Sequence, residues 1–471
     1  MTFDSLPFPF LLAGLLLAYR LLPAGGRGLL LLAAGYAFYA GFEPWFCLPL
    51  LASTFLDFYC ALGLAAATTA ARRRLCLGLS LAGNLGMLFF YKYCDFLILS
   101  FAKLAQRCGL QVDPPLLHLM LPLGISFYTF QSLSYTLDVY RGTLAPCRRL
   151  RDFALYVAYF PQLLAGPIER AGRLLPQLAV LRQPSSAMLR DGLWLILLGY
   201  YKKVVVADNL SLMVGPAFAS PASVTGGEMA LAIYAYAFQV YCDFSGYSDL
   251  ARGISRLFGV ELMLNFRIPF FAANIQEFWN RWHISLSSWV RDYLYGPLAR
   301  AGLPGVGTRC AAFLTMLIIG IWHGAAWKFA AFGAYHGVLL VLFDASRAPR
   351  RRLRDFLPAL PYRLFCSLLT FHLAVIGLAI FGCKWLGRIP AMLAALARAE
   401  NWSPAFTADL ARFCYFTAPL LLLHLYKERK NAQDPLPLWS PEARFLACAF
   451  LLVQILAHGA VAGGRFIYFQ F

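Results

Sequence analysis

Apolar stretches long enough to cross a lipid bilayer recur along the whole chain, and this limits the fold before any single residue is considered. About 20 residues of α-helix span a hydrocarbon core. Stretches of that order, or somewhat shorter, lie at 5–23, 28–41, 44–69, 76–103, 116–140, 152–166, 191–214, 224–250, 308–326, 328–345, 361–386, 403–426 and 441–470. Only 14% of the 471 residues are charged, against about a quarter in soluble domains. Backbone inside a bilayer finds no water, so only helices and closed barrels cross it. The stretches lack the two-residue alternation of a barrel. The expectation is an all-α, polytopic integral membrane protein of about 11–13 helices. It forms one membrane domain over 1–471, with N-terminal spans in 1–115, a core in 116–345 and C-terminal spans in 346–471. Segments 28–41 and 152–166 are short and read as partial or re-entrant. No small-residue cleavage pattern follows the first apolar run, which reads as a retained helix.

Lysine and arginine number 41 against 23 acidic residues, and the excess is clustered. Arg72-Arg73-Arg74, Arg148-Arg149 with Arg151, Arg350-Arg351-Arg352 with Arg354, and Lys427 with Arg429 and Lys430 fall between apolar stretches, and Lys202-Lys203, inside 191–214, is read with them as a loop cluster. In that position they follow the positive-inside rule and mark cytoplasmic loops, not a nucleic-acid surface. Placing every cluster inside puts the N-terminus on the periplasmic side, a loop at 270–307 inside and the C-terminus outside, and obliges 152–166 to re-enter. The twelve cysteines form no CxxC pair, so they read as buried thiols and no metal site is expected.

Four polar intrusions break this apolar background. In "FWNRWHISLSSWVRDYLYGPL", 278–298, a helical projection gathers Glu277, Asn280, Arg281, Ser285, Ser287, Ser288, Arg291 and Asp292 on one face and the tryptophans on the other. It reads as a continuous amphipathic helix at the membrane interface, with Glu277 and Arg281 paired at i, i+4. His283 projects onto the apolar face, where a satisfied core residue and a functional one are both open readings. In "LTMLIIGIWHGAAWKFAAFGAYHG", 314–337, His323 lies in an apolar run with Ala312, Met316, Ile319 and Trp327 on its face. An intramembrane ionisable residue is a functional candidate by default, and desolvation favours a neutral imidazole able to accept a proton. Gly320 and Gly324 leave room for a substrate or for another helix. His323 and His336 do not suggest haem, because no second helix supplies a similar pair. In "YCDFSGYSDLARG", 241–253, Asp243, Asp249 and Arg252 read as ion-pair scaffolding, Asp249 with Arg252 at i, i+3, or as substrate contacts. In "AYFPQLLAGPIERAGRLLPQL", 158–178, Pro161 and Gly166-Pro167 break the helix, which puts Glu169 and Arg170 near the mouth of a cavity.

Taken in order, "AGPIER", "YCDFSGYSDLARG", "NFRIPF", "FWNRWHISLSSWVRDYLY" and "WHGAAW" resemble the membrane-bound O-acyltransferase (MBOAT) family, in its bacterial branch of alginate O-acetylation and D-alanyl-teichoic-acid transfer proteins. The resemblance covers about residues 120–345, while the flanking spans match only as generic helices. It implies a ring of helices around a central tunnel, a catalytic His323 in the WHG motif and a second active-site position at His283. Asn280, Arg281, Trp282, Trp322, Asp243 and Glu169 are then the supporting candidates. It also implies an acyl thioester donor, acetyl-CoA or an acyl-carrier, with no bound cofactor. The acceptor is a hydroxyl of an exported polysaccharide or of a periplasmic serine-hydrolase-type transferase. His323 acts as general base, and the oxyanion donor is His283, Asn280 or a backbone N–H. No Ser126 or Ser245 nucleophile is required. Arg281 and Arg291 receive the donor's phosphates or anchor lipid headgroups. The alternatives are D-alanyl transfer to a teichoic-acid-type acceptor, and a transporter or scaffold of glycan export. One departure stands out: the chain reads "YGPLARAG" at 295–302 where the alginate branch often has "YIPLGGNR".

Overall fold

Helices dominate because the apolar stretches must satisfy their own backbone. The computed structural model describes all residues except 1, 4, 6, 302–306, 399–402, 433, 435, 460–465 and 468–471. Six helices are long and apolar enough to cross a membrane: Pro44–Ala66, Ala70–Arg107, Trp327–Ala345, Ala359–Gly382, Pro404–Lys430 and Pro441–His458. Pro7–Leu21, Thr308–His323 and Leu386–Leu396 are shorter apolar helices. Other expected spans are helical but interrupted or polar. The 191–214 stretch becomes Ser186–Tyr200, a π-helical stretch Tyr201–Ala207 and Asp208–Ala219. The 116–140 stretch is helical only from Ile125 to Arg141. The 152–166 stretch breaks into Leu150–Val157 and Phe160–Leu163. Its irregular residues Ala158, Tyr159, Leu164 and Ala165 are at most 1% exposed, so protein shields the open backbone there.

The chain divides into two units, Met1–Leu193 with Ala251–Met263, and Trp194–Leu250 with Leu264–Phe471. In the first, helices Cys47–Ala66, Ala70–Arg107 and Ile125–Arg141 are joined by a buried polar cluster. Asp57 accepts hydrogen bonds from Ser80, from Asn84 at 2.9 Å and from Thr136 at 3.1 Å, and Ser53 donates to Asn84 at 2.6 Å. Hydrogen bonds between helices hold them together where lipid gives no hydrophobic drive.

In the second unit, Thr308–His323 and Trp327–Ala345 form a close hairpin. A Cβ on Gly320 would lie 2.6 Å from Gly333 Cα, and one on Gly333 would lie 3.0 Å from Gly320 Cα. Small residues facing each other let the two backbones touch. The space expected beside Gly320 is therefore taken by the partner helix, and that beside Gly324 by the Phe329 ring.

Two expectations about charge are corrected in this unit. Lys202 and Lys203 are not loop residues: each is 5% exposed, within the π-helical stretch. Lys202 pairs with Asp249 at 2.6 Å, and Lys203 with Asp208 and with Asp243, both at 2.9 Å. Carboxylates make it possible to bury these cations, so the pair carries no topological signal. Asp249 thus turns to Lys202, while Arg252 faces Glu261 at 3.9 Å. Asp243 also accepts the Ile467 N–H at 2.7 Å, and it does not end a span, because Gly226–Leu257 is one helix. Of its two readings, ion-pair scaffolding is the one the geometry supports.

Removing one member of a buried ion pair strands its partner, at about 3–5 kcal/mol. Lys203→Met is expected to lower the thermal unfolding temperature of the detergent-purified protein markedly. An unchanged temperature would show that these pairs do not hold the unit together.

Candidate functional site

His323 is the last residue of its helix, not one in mid-span. Gly324 follows in an extended conformation, φ −172°, ψ 161°, and the next helix starts only at Trp327. Trp327 therefore does not share the His323 face, as the continuous pattern suggested, and is 62% exposed. Ala312, Met316 and Ile319 do share it, at i−11, i−7 and i−4. The imidazole is 6% exposed. Its ring lies 5.1 Å from Trp322, 5.3 Å from Phe381 and 5.8 Å from Phe332, so Trp322 helps wall it in.

His283 breaks the segment expected to be one amphipathic helix. The chain forms Ile275–Arg281, then Trp282 in extended conformation, then His283 at φ 45°, ψ 54°, then Ile284–Val290. A left-handed non-glycine residue costs about 1–2 kcal/mol. The segment 265–267 supplies the compensation. Ile284 N–H donates to Asn265 O at 2.8 Å and Arg267 N–H to Arg281 O at 2.9 Å. Asn265 Oδ1 accepts from Ser285 Oγ at 2.9 Å and lies 3.1 Å from His283 Nδ1, while Asn265 Nδ2 donates to Ser248 Oγ at 3.2 Å. With an acceptor opposite Nδ1, the proton sits on Nδ1 and Nε2 is the basic nitrogen. Burial pushes the His283 pKa down to about 3, so the ring is neutral. The tryptophans of the segment are also inside protein, with Trp279, Trp282 and Trp289 at 5–8% exposure, and not at a lipid interface.

Aromatic rings connect the two histidines. From His323 the contacts run through Phe332, Trp279, Phe278, Trp282 and Phe266 to His283, with centroids 5.2–6.4 Å apart. His336, which the sequence offered only as a structural residue, sits against the same rings, 4.7 Å from Phe332 and 5.0 Å from Trp279.

A cavity of about 660 Å³ opens beside Thr308–His323. Ala312, Thr315, Met316 and Ile319 form one wall, Trp279 and Asn280 belong to another, and Arg291, Arg309 and Arg347 line it as well. Those arginines are 57–79% exposed in their side chains, so they form its rim. Arg309 and Arg347 share Asp344, and Arg291 pairs with Asp292 at 3.0 Å. Arg281 stands apart from this rim: it binds Glu277 at 2.6 Å, the expected i, i+4 pair, and Glu428 at 2.9 Å. Two carboxylates hold it, and it is not among the residues lining the cavity.

Glu169 belongs to the first unit. It is fully buried, accepts the Met263 N–H through Oε1, and its Oε2 has no hydrogen-bond partner. Burial raises its pKa to about 7. It sits inside the protein, with none of its surface exposed. Residue 302 of the variant "YGPLARAG" stretch lies outside the described residues, and Gly296–Arg300 is a short helix.

The fold and these sites define a polytopic helical membrane protein built around two buried histidines and a basic-rimmed cavity. Residues 149–358 match the model of the membrane-bound O-acyltransferase family. The probable alginate O-acetylase AlgI of Azotobacter vinelandii is 39% identical over 408 residues, 86% of this chain and 79% of that protein. The probable alginate O-acetylase AlgI of Pseudomonas aeruginosa is 37% identical over 454 residues, 94% and 84%. A peptidoglycan O-acetyltransferase of Helicobacter pylori is 33% identical over 411 residues, 81% and 76%. The chain belongs to the membrane-bound O-acyltransferase family.

Asn265 was visible in "NFRIPF" but gave no sign that it holds His283. Asn265→Ala leaves buried donors on His283 and Ser285 unsatisfied, at about 1–3 kcal/mol. A lower unfolding temperature in detergent is expected, and a wild-type value would contradict the role assigned to Asn265.

Proposed function

We propose that this protein transfers an acetyl group from a cytoplasmic thioester to a hydroxyl of an exported, alginate-like polysaccharide or of a periplasmic partner transferase. The observation that carries the reading is that the helix face ending at His323 is the one lining the cavity through Ile319, Met316, Thr315 and Ala312. The cavity reaches Ile319, one helical turn short of His323, whose imidazole is not among its lining residues, so a donor entering at the arginine rim has to open that last turn to meet it. The three O-acetylating relatives match 81–94% of the chain, which favours acetyl over D-alanyl transfer.

In this scheme the acceptor oxygen attacks the thioester carbonyl while His323 takes its proton. The new C–O bond forms, the C–S bond breaks, and the proton passes from His323 to the departing thiolate, giving ester and thiol. The imidazolium forms at the carbonyl end of a helix, where negative partial charge favours a cation. The surrounding rings exclude water that would otherwise hydrolyse the thioester. His283, neutral and turned by Asn265, has its role on the acceptor side of the aromatic train. Asn280, on the cavity wall, is the better placed of the two to face the donor. The rim is near Arg350, Arg351, Arg352 and Arg354 in sequence, and the positive-inside rule supports reading it as cytoplasmic, in keeping with an inner-membrane protein whose N-terminus is periplasmic.

General-base assistance contributes about 10²–10⁴-fold. Purified His323→Ala protein, with unchanged unfolding temperature, is expected to lose that much transfer from labelled acetyl-CoA to a glycan acceptor. Wild-type rates in this variant would remove His323 from the chemistry.

A further inference from the structure

We propose that the two turns beside His323, through Trp327, Lys384 and Trp385, bind an acidic glycan, the acceptor chain of the acyl-transfer reading on which this inference rests.

Both turns adjoin the wall of the imidazole. His323 ends its helix and Gly324 to Ala326 lead to Trp327, while Phe381, 5.3 Å from the His323 ring, lies one residue before the end of Ala359–Gly382. Lys328 straps the turns together. Its Nζ donates to Cys383 O at 2.9 Å, and the Phe329 and Phe381 rings beneath are 5.0 Å apart. Along the chain only a glycine and two alanines separate His323 from Trp327, so a ligand resting on these turns is held close to the residue.

Two indoles are exposed there, Trp327 at 62% and Trp385 at 56%. The Trp385 ring lies across Gly387, where it leaves no room for a Cβ. One side of the indole thus rests on the chain, and the exposed side is offered to a ligand. An indole has a broad apolar face and a single N–H at its edge. A sugar ring matches both, packing its C–H face on the indole and turning a hydroxyl to the N–H.

Charge is the second observation. Residues 324–328 and 383–398 hold Lys328, Lys384, Arg388 and Arg398 and no aspartate or glutamate. They lie at the opposite helix ends from the arginines of Arg347–Phe356 and from Lys427, Arg429 and Lys430, which close Pro404–Lys430. Basic residues collect on the cytoplasmic side of spans, so an uncompensated group on the other side needs another cause. Arg398 has one, because its guanidinium donates to Ala222 O at 2.8 Å and Val224 O at 2.6 Å. Lys384 is exposed beside Trp385, and a carboxylate from outside the chain is its natural partner. Charge alone suits an acidic protein, and tryptophan alone suits lipid headgroups. The two together favour a sugar chain that carries carboxylates, a polyuronate.

The test measures binding to the full-length protein in lipid nanodiscs, without donor. The probes are an oligogalacturonate, its methyl ester, which keeps the sugars and loses the charge, and poly-L-glutamate of the same charge. The oligogalacturonate is expected to bind, less tightly as salt rises, and the other two at least about fivefold more weakly. Trp385→Ala raises its Kd about fivefold or more, Lys384→Gln about two- to fivefold, and Trp385→Phe restores most of the loss. Both side chains are exposed, so the variants keep the wild-type unfolding temperature. Poly-L-glutamate bound as tightly as the oligogalacturonate, and indifferent to Trp385→Ala, would mark an acidic-protein surface. No binding of the oligogalacturonate, or wild-type affinity in both variants, would mark lipid anchoring. Either result overturns the inference and leaves acyl transfer intact. If the oligogalacturonate binds as expected but wild-type protein transfers acetyl to no hydroxyl, the acyl-transfer reading fails and the binding surface stands.

Discussion

The backbone contact between Gly320 and Gly333 is the constraint from which the site follows. Neither position has room for a side chain, so the helices Thr308–His323 and Trp327–Ala345 touch along their length. That contact sets where the first helix must stop, and His323 is the residue at its end. It also brings Phe332 to the imidazole from the second helix, so a single packing decision places both the His323 ring and part of its apolar wall. Larger residues at either glycine would separate the helices and move Phe332 away from the His323 ring.

The two histidines are held by opposite means. His323 is enclosed by rings and stands at the end of a helix whose face continues into the cavity. His283 is gripped by hydrogen bonds, in a left-handed turn that the 265–267 segment makes affordable. A stack of aromatic side chains lies between them. Such a stack conducts no proton and admits little water, which suits the proposed transfer, in which a thioester has to be kept from hydrolysis until a hydroxyl arrives.

Much of this was legible in the sequence because lipid imposes a simple rule on composition. The apolar stretches located most helices, the isolation of His323 marked it, and the spacing of Ala312, Met316 and Ile319 placed them on its face. What was not legible depended on distant partners. A helical projection runs straight through Trp282 and His283, since nothing local announces that Asn265, eighteen residues before His283, will take the hydrogen bonds of His283, Ile284 and Ser285. Lys202 and Lys203 look like loop residues because their carboxylates come from Asp208 nearby and from Asp243 and Asp249 some forty residues on.

The central claim is that the cavity delivers a thioester to His323, and a structure of the protein with a non-hydrolysable acetyl-CoA analogue tests it most directly. The account predicts the atom replacing sulfur within hydrogen-bond reach of the imidazole and the phosphates among Arg291, Arg309 and Arg347. An analogue bound with its acyl end away from His323, or in another part of the protein, would contradict it.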